Sequence, residues 1–166
     1  DMTTAMAQGM PQADGSVRPG ARTPVDYRRL LLERVAAHPD KGEWFISFGY
    51  QPALHGRYGR AELDALFPDR PVVLIQRSFH ESYLNTAATD KLGLTAEIVG
   101  AHPQVDWPDG HFFETGNKLV MGRLMPHFLR PEWYHRGLEM TTRLMHQGGI
   151  TTAGDMLFGG THPEFE

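Results

Sequence analysis

The sequence predicts an α/β protein, and three stretches carry that prediction. Thr23 to His38 has the stripe of an amphipathic helix, and Val72 to Arg77 is an apolar, β-branched run of strand length. Pro131 to Gln147 reads as a longer helix that passes through Gly148-Gly149 straight into Ile150-Thr151-Thr152. A long helix leading at once into a β-branched segment is the wiring of an αβ unit, whose strand needs parallel neighbours. At 166 residues the chain is long enough for one domain with its own core.

Residues 1–22 are punctuated by Gly9, Pro11, Gly15, Pro19 and Gly20 and read as a loop or extended arm. The first helix begins at Thr23, whose hydroxyl can accept from first-turn N–H groups. Pro24 suits the first helical position, and Asp26 the positive helix end. Tyr27, Leu30, Leu31 and Val35 form its apolar stripe, and His38-Pro39 ends it. Glu43 to Tyr50 is aromatic and β-rich, so it reads as a strand, with Trp44, Phe45, Phe48 and Tyr50 expected mainly in the core. Gln51 to Tyr58 reads as a loop. A short helix follows from about Gly59 to Leu66, then a turn at Pro68-Asp69-Arg70-Pro71 and the strand Val72 to Arg77. Asn85 to Leu92 is a short helix capped by Asn85 and closed by Gly93. Ile98 to Gly110 is loop-like because Pro103 and Pro108 interrupt it, and His111 to Glu114 suits a short strand or a turn. The long helix carries Trp133, Tyr134, Leu138, Met140, Leu144 and Met145 on a broad face, and Ile150 to Met156 is expected as a buried strand.

Composition excludes more than it assigns. Hydrophobic residues at 40% and charged residues at 22% are ordinary for a globular protein in water. A net charge of -4 gives no electrostatic case for nucleic acid. No apolar run approaches the roughly 20 residues a membrane span needs. There is no Cys, which removes disulfides, thiolate metal sites and a Cys nucleophile together and fits a cytoplasmic location. The nine His and twenty Asp and Glu are metal-ligand types, but none has ligand spacing. There is no His-x-His and no His-Glu-x-x-His; His111 and Glu114 are three apart in a segment that need not bring them together.

Three stretches together resemble one family. They are Gly42-Glu43-Trp44-Phe45-Ile46 with Gly49-Tyr50 and Arg60 to Ala65; Pro68 to Leu74 followed by His80 and Tyr83-Leu84-Asn85-Thr86-Ala87-Ala88; and Gln147 to Asp155. In this order and spacing they resemble the large amidohydrolase family that includes the bacterial N-substituted formamide deformylases and many metal-dependent hydrolases. The resemblance spans roughly residues 24–156, and its most specific part is Pro68 to Ala88. It implies an internal fragment of a larger enzyme: an inserted α/β lobe plus the second strand region of a metal-dependent hydrolase (β/α)₈ barrel, incomplete in this chain. The divisions expected are an arm at 1–22, the lobe at 23–130, and a barrel helix and strand at 131–166.

The same resemblance implies hydrolysis of an amide-type C–N bond by a metal-activated water. The divalent metal expected is zinc, with its ligands outside this chain. No residue here is expected to be catalytic or a metal ligand, and the isolated chain is expected to be inactive. Three residues are expected at the substrate. His80 follows a buried strand, where side chains are presented to a cleft; the family has a Gly-His pair there, and Phe79 replaces that Gly. Glu114 ends Gly110-His111-Phe112-Phe113-Glu114, which resembles a family segment near the pocket. Asp155 would end the second barrel strand, on the active-site face of such a barrel. The partners implied are a small-molecule substrate and either the rest of the parent chain or a second copy, docked on uncovered strand and helix faces. Two rivals remain: a non-catalytic binding or interaction domain derived from the lobe, and a small independent metal hydrolase built from His80, His111 and Glu114.

Overall fold

The computed structural model describes residues 2–4, 9–12, 14–38, 40–128 and 130–154. Its chain order is β1 (Met2–Thr4), β2 (Met10–Pro11), β3 (Val17–Arg18), α1 (Pro24–Ala36), β4 (Phe45–Tyr50), α2 (Pro52–His55), α3 (Arg60–Leu66) and β5 (Val72–Gln76). Then come β6 (Glu81–Leu84), α4 (Thr86–Lys91), α5 (Ala96–Val99), β7 (Val105–Asp106), β8 (His111–Phe113), α6 (Thr115–Phe128) and α7 (Pro131–Gln147). One six-stranded mixed sheet, ordered β1-β4-β5-β6-β8-β7, carries the fold, beside a separate β2–β3 hairpin. The region read as an arm therefore holds three short strands. β1 enters the main sheet because its backbone pairs in parallel with β4, from Met2↔Ile46 to Thr4↔Phe48.

The sheet has two halves. β1, β4 and β5 are parallel, joined by helical crossovers, and β6, β8 and β7 are antiparallel. α1 starts as the sequence predicts, with Thr23 Oγ1 accepting from Asp26 N at 3.1 Å, and buries Tyr27, Leu30 and Leu31. α3 starts at Gly59, whose N–H donates to Glu62 Oε2. Alternation along β5 sends Val72 and Leu74 to the α1–α3 side and Val73 and Ile75 to the α4–α6 side, giving two cores. Each fully buried Leu or Phe in them contributes about 1.5–3 kcal/mol. β4 switches phase midway. The register shifts between Phe48 and Tyr50, with Gly49 at φ 99, so Tyr50 lands on the α1 side with Phe45. A side chain at 49 would resist that bulge.

Several assignments differ from the sequence reading. The loop at 51–58 contains α2, and the loop at 98–110 contains β7. α6 lies where the sequence shows no clear helix, because Gly116, Gly122 and Pro126 dilute its propensity; burial of Val120 and Leu124 in the α4–α6 core overrides them. The strand expected at Ile150 to Met156 is not formed over its described part: Ile150–Gly154 is irregular and exposed. A β-branched segment becomes a strand only where another strand receives its backbone groups, and none of the described strands pairs with it. Instead Ile150 N donates to Met145 O and Gly149, at φ 77, donates to His146 O, closing the C-terminus of α7. α7 itself leaves most of its apolar face exposed, Leu138 and Met140 included. Among the described residues no helix is long and apolar enough to cross a membrane.

Candidate functional site

The seam between β6 and β8 gathers the polar chemistry. The turn after β5 is tight: Phe79 N donates to Gln76 O, Ser78 N to Gln76 Oε1, and His80 N to Ser78 Oγ. Across the seam, Glu114 N donates to His80 O at 2.8 Å, extending the β6–β8 ladder by one rung beyond Glu81↔Phe113. That rung places His80 Nδ1 2.9 Å from Glu114 Oε2, with the side chains 63% and 54% exposed. Two of the three residues predicted at the substrate are therefore brought together as a carboxylate–imidazole pair. Asp155, the third, lies outside the described residues.

The backbone on both sides of this pair is unusual. Phe79 has φ 65 and Glu114 φ 48, and among the described residues no other non-glycine residue has positive φ. The left-handed conformation costs an ordinary L-residue about 1–2 kcal/mol, so the surrounding structure must hold it. Phe79 stands where the family resemblance expects Gly, and it takes the conformation for which glycine is ordinarily used. Its ring stacks on Phe48 at 4.5 Å, and its carbonyl accepts from Asn117 Nδ2 at 2.8 Å. Glu114 immediately precedes α6, where a carboxylate meets the positive helix end.

A second pair was not anticipated. His111 Nε2 lies 2.8 Å from Glu81 Oε2, which also accepts from Tyr83 Oη at 3.0 Å, while Glu81 Oε1 accepts from Gln76 Nε2. The His111 ring stacks on Tyr83 at 4.2 Å, and Phe113 tilts against it. Burial pushes the Tyr83 phenol far up, and its bond to Glu81 adds to that, so it stays a neutral donor. These groups share the α1–α3 face of the antiparallel half, at 22% and 28% exposure for His111 and Glu81. The signal that could have found them is period-two alternation: Glu81 and Tyr83 on one strand, His111 and Phe113 on the next.

The grouping of His80, His111 and Glu114 does not form, because His111 faces Glu81 and Glu114 faces His80. Among the described residues no three His, Asp or Glu side chains converge as ligands of one ion would. Two separate pairs, each already satisfied internally, do not fit a divalent metal.

A cavity of about 310 Å³ lies elsewhere, between the end of α1 and the turn before β5, and is lined by Val35, His38, Leu66, Phe67 and Arg70 among others. Arg70 works there as a structural cap, its guanidinium donating to the carbonyls of Val35, His38 and Asp40. The His80–Glu114 pair stands on open surface. Asn85, read as a helix cap, does that and more: Oδ1 accepts from Ala88 N and Val72 N, and Nδ2 donates to the carbonyls of Phe67 and Arg70.

Comparison with known proteins follows the same outline. A family model described as the amidohydrolase family matches residues 7–164. An N-substituted formamide deformylase of Arthrobacter pascens is 26% identical over 145 residues, covering 76% of this chain and 26% of that protein. A solved structure of an uncharacterized metal-dependent hydrolase from Pyrococcus horikoshii OT3 is similar over 80% of this chain and 25% of its own, with a TM-score of 0.54 and 19% identity. Another, from Pyrococcus furiosus, is similar over 93% of this chain and 28% of its own, with a TM-score of 0.57 at the same identity. The chain thus spans about a quarter of the length of these relatives.

Proposed function

Because this chain belongs to the amidohydrolase family, we propose that it is an α/β lobe of an enzyme that hydrolyses an amide-type C–N bond: an amide, a formamide or a cyclic amide. The lobe walls the substrate pocket and is inactive alone. The observation that carries this reading is the His80–Glu114 pair, displayed on open surface by two residues held in left-handed backbone. Strained backbone that the surroundings hold in place is characteristic of sites where a side chain must be aimed.

The pair's chemistry suits an amide. With Nδ1–H donating to Glu114, the imidazole turns Nε2 outward as an acceptor for a substrate N–H; once protonated, it offers an N–H to the carbonyl oxygen instead. Glu114 fixes the ring's orientation in both states. The divalent metal that the resemblance implies, zinc, finds no fitting donors among the described residues. We assign its ligands to other polypeptide of the whole enzyme and route no step through it. In that enzyme Ile150 to Asp155 becomes the second strand of the barrel, neighbouring chain covers the exposed face of α7, and Asp155 shapes the pocket.

The test uses the full-length protein. Amine release is measured from N-substituted formamides, linear amides and cyclic amides, with esters of matching shape as controls. His80→Ala and Glu114→Ala are expected to lower kcat/KM by about 10- to 100-fold, mostly through KM, as loss of hydrogen bonds to a polarised group predicts. Hydrolysis confined to esters would refute the bond class. Unchanged kinetics in both variants would remove the pair from the pocket.

A further inference from the structure

We propose that Asn117 is a positioning residue, which latches the peptide before His80 in its left-handed conformation and so aims the imidazole; this rests on the reading of His80 as a substrate-facing group. Asn117 is the third residue of α6 and only 3% exposed. Its Nδ2 donates to Phe79 O, while its Oδ1 is buried with no hydrogen-bond partner. A buried amide left half satisfied is a poor choice for packing, since an apolar side chain of similar size would avoid the orphaned oxygen. What an apolar side chain could not do is donate to the carbonyl of residue 79.

That carbonyl belongs to the peptide whose nitrogen is His80's own. On its other side His80 is tied by Glu114 N, which donates to His80 O. Glu114 directly precedes α6, and Asn117 N donates back to Glu114 O at 3.1 Å. One helix start therefore carries the carboxylate that orients the imidazole and the amide that holds the backbone beneath it. The latch is needed because the residue is Phe79: a glycine would take φ 65 without steric cost. Asn117 and the β-carbon of residue 79 should therefore be energetically coupled.

The experiment is a double-mutant cycle in the full-length protein with Asn117→Leu and Phe79→Gly. Asn117→Leu should leave the melting temperature unchanged or higher while lowering kcat/KM about tenfold. In the Phe79→Gly background the same substitution should cost less than about threefold. The ¹⁵N shift of the His80 imidazole, which reports its bond to Glu114, should change in Asn117→Leu and revert in the double variant. Equal loss in both backgrounds, with unchanged His80 shifts, would overturn the proposal. If Asn117→Leu does not fold, the isosteric Asn117→Asp, which sets a carboxylate against the Phe79 carbonyl, takes its place with the same kinetic and imidazole-shift expectations and a lower melting temperature, because a buried carboxylate is left without a donor. The imidazole shift separates the two readings. Were His80→Ala kinetically silent, the substrate role would fall, and coupling in the shifts would still support the latch.

Discussion

On the parallel side of the sheet, imidazole is a building part. His55 is wholly buried, stacked on Tyr27 at 4.2 Å, with Nδ1 accepting from Gln51 N and Nε2 against Ala21 O. Both ring nitrogens are satisfied by backbone, so the neutral, Nε2-protonated form is the one that fits. On the antiparallel side His80 and His111 each face a carboxylate, and backbone caps neither ring in the same way. The difference follows from topology. Helical crossovers cover the parallel strands on the α1–α3 side, so a ring there must be completed locally. At the β6–β8 seam, where α3 and α6 pack on the strands, the rings are instead completed by carboxylates, and His80 stays reachable at 63% side-chain exposure. Both halves line the cores, and the antiparallel half also presents chemistry.

The largest expected effect comes from cutting the joint between the halves. Asn85 ties β5 to the end of α3 and to α4 through four hydrogen bonds, all buried. Asn85→Ala would orphan two N–H groups and the Arg70 carbonyl, leave the Phe67 carbonyl with Arg70 N as donor, and should cost about 3 kcal/mol or more, read as a lower denaturant midpoint. A loss below about 1 kcal/mol would mean that the halves are held together by packing alone.

Next in size is the acid response of the closed half. Burial pulls the His55 pKa below its ordinary value, and the contact with Ala21 O opposes this only in part. The folded state therefore favours the neutral ring. Its contribution is complete above the unfolded pKa, about 6.5, and is lost as pH falls from there through the folded value, because the unfolded chain binds the proton first. Urea midpoints from pH 8 to pH 5 should decline below about pH 6.5, with a slope of up to about 1.4 kcal/mol per pH unit for one proton. His55→Gln should lower stability at pH 8 and flatten that slope. A slope that survives unchanged would assign the acid sensitivity to other groups.

Legibility follows the same division. α1 and α7 can be read from periodicity, and α3, α4 and β5 from caps, glycines and β-branched runs, because these signals are local. β6 cannot: Glu81 and Ser82 are poor strand formers, and the segment is a strand because β5 and β8 flank it. α6 is hidden by its two glycines and a proline. His80 and Glu114 are legible one at a time, through motif resemblance, but their meeting depends on the β6–β8 register. Glu81 and His111 are 30 residues apart and meet for the same reason. No local pattern announces the bulge at Gly49 that turns Tyr50 inward.

The smallest effect is the most discriminating within the seam. Its two pairs have the same chemistry and different surroundings. His111–Glu81 is partly buried, joined by Tyr83 and Gln76 and packed between rings, whereas His80–Glu114 is more than half exposed. Glu81→Gln weakens three contacts and should destabilise by about 1 kcal/mol. His80→Ala should stay within about 0.5 kcal/mol of the parent, since exposed pairs contribute little. Activity should order the other way, with His80→Ala losing more than Glu81→Gln. If His80→Ala costs as much stability as Glu81→Gln, the exposed pair is a strut of the seam like its neighbour, and the left-handed residues beside it serve the fold and not a substrate.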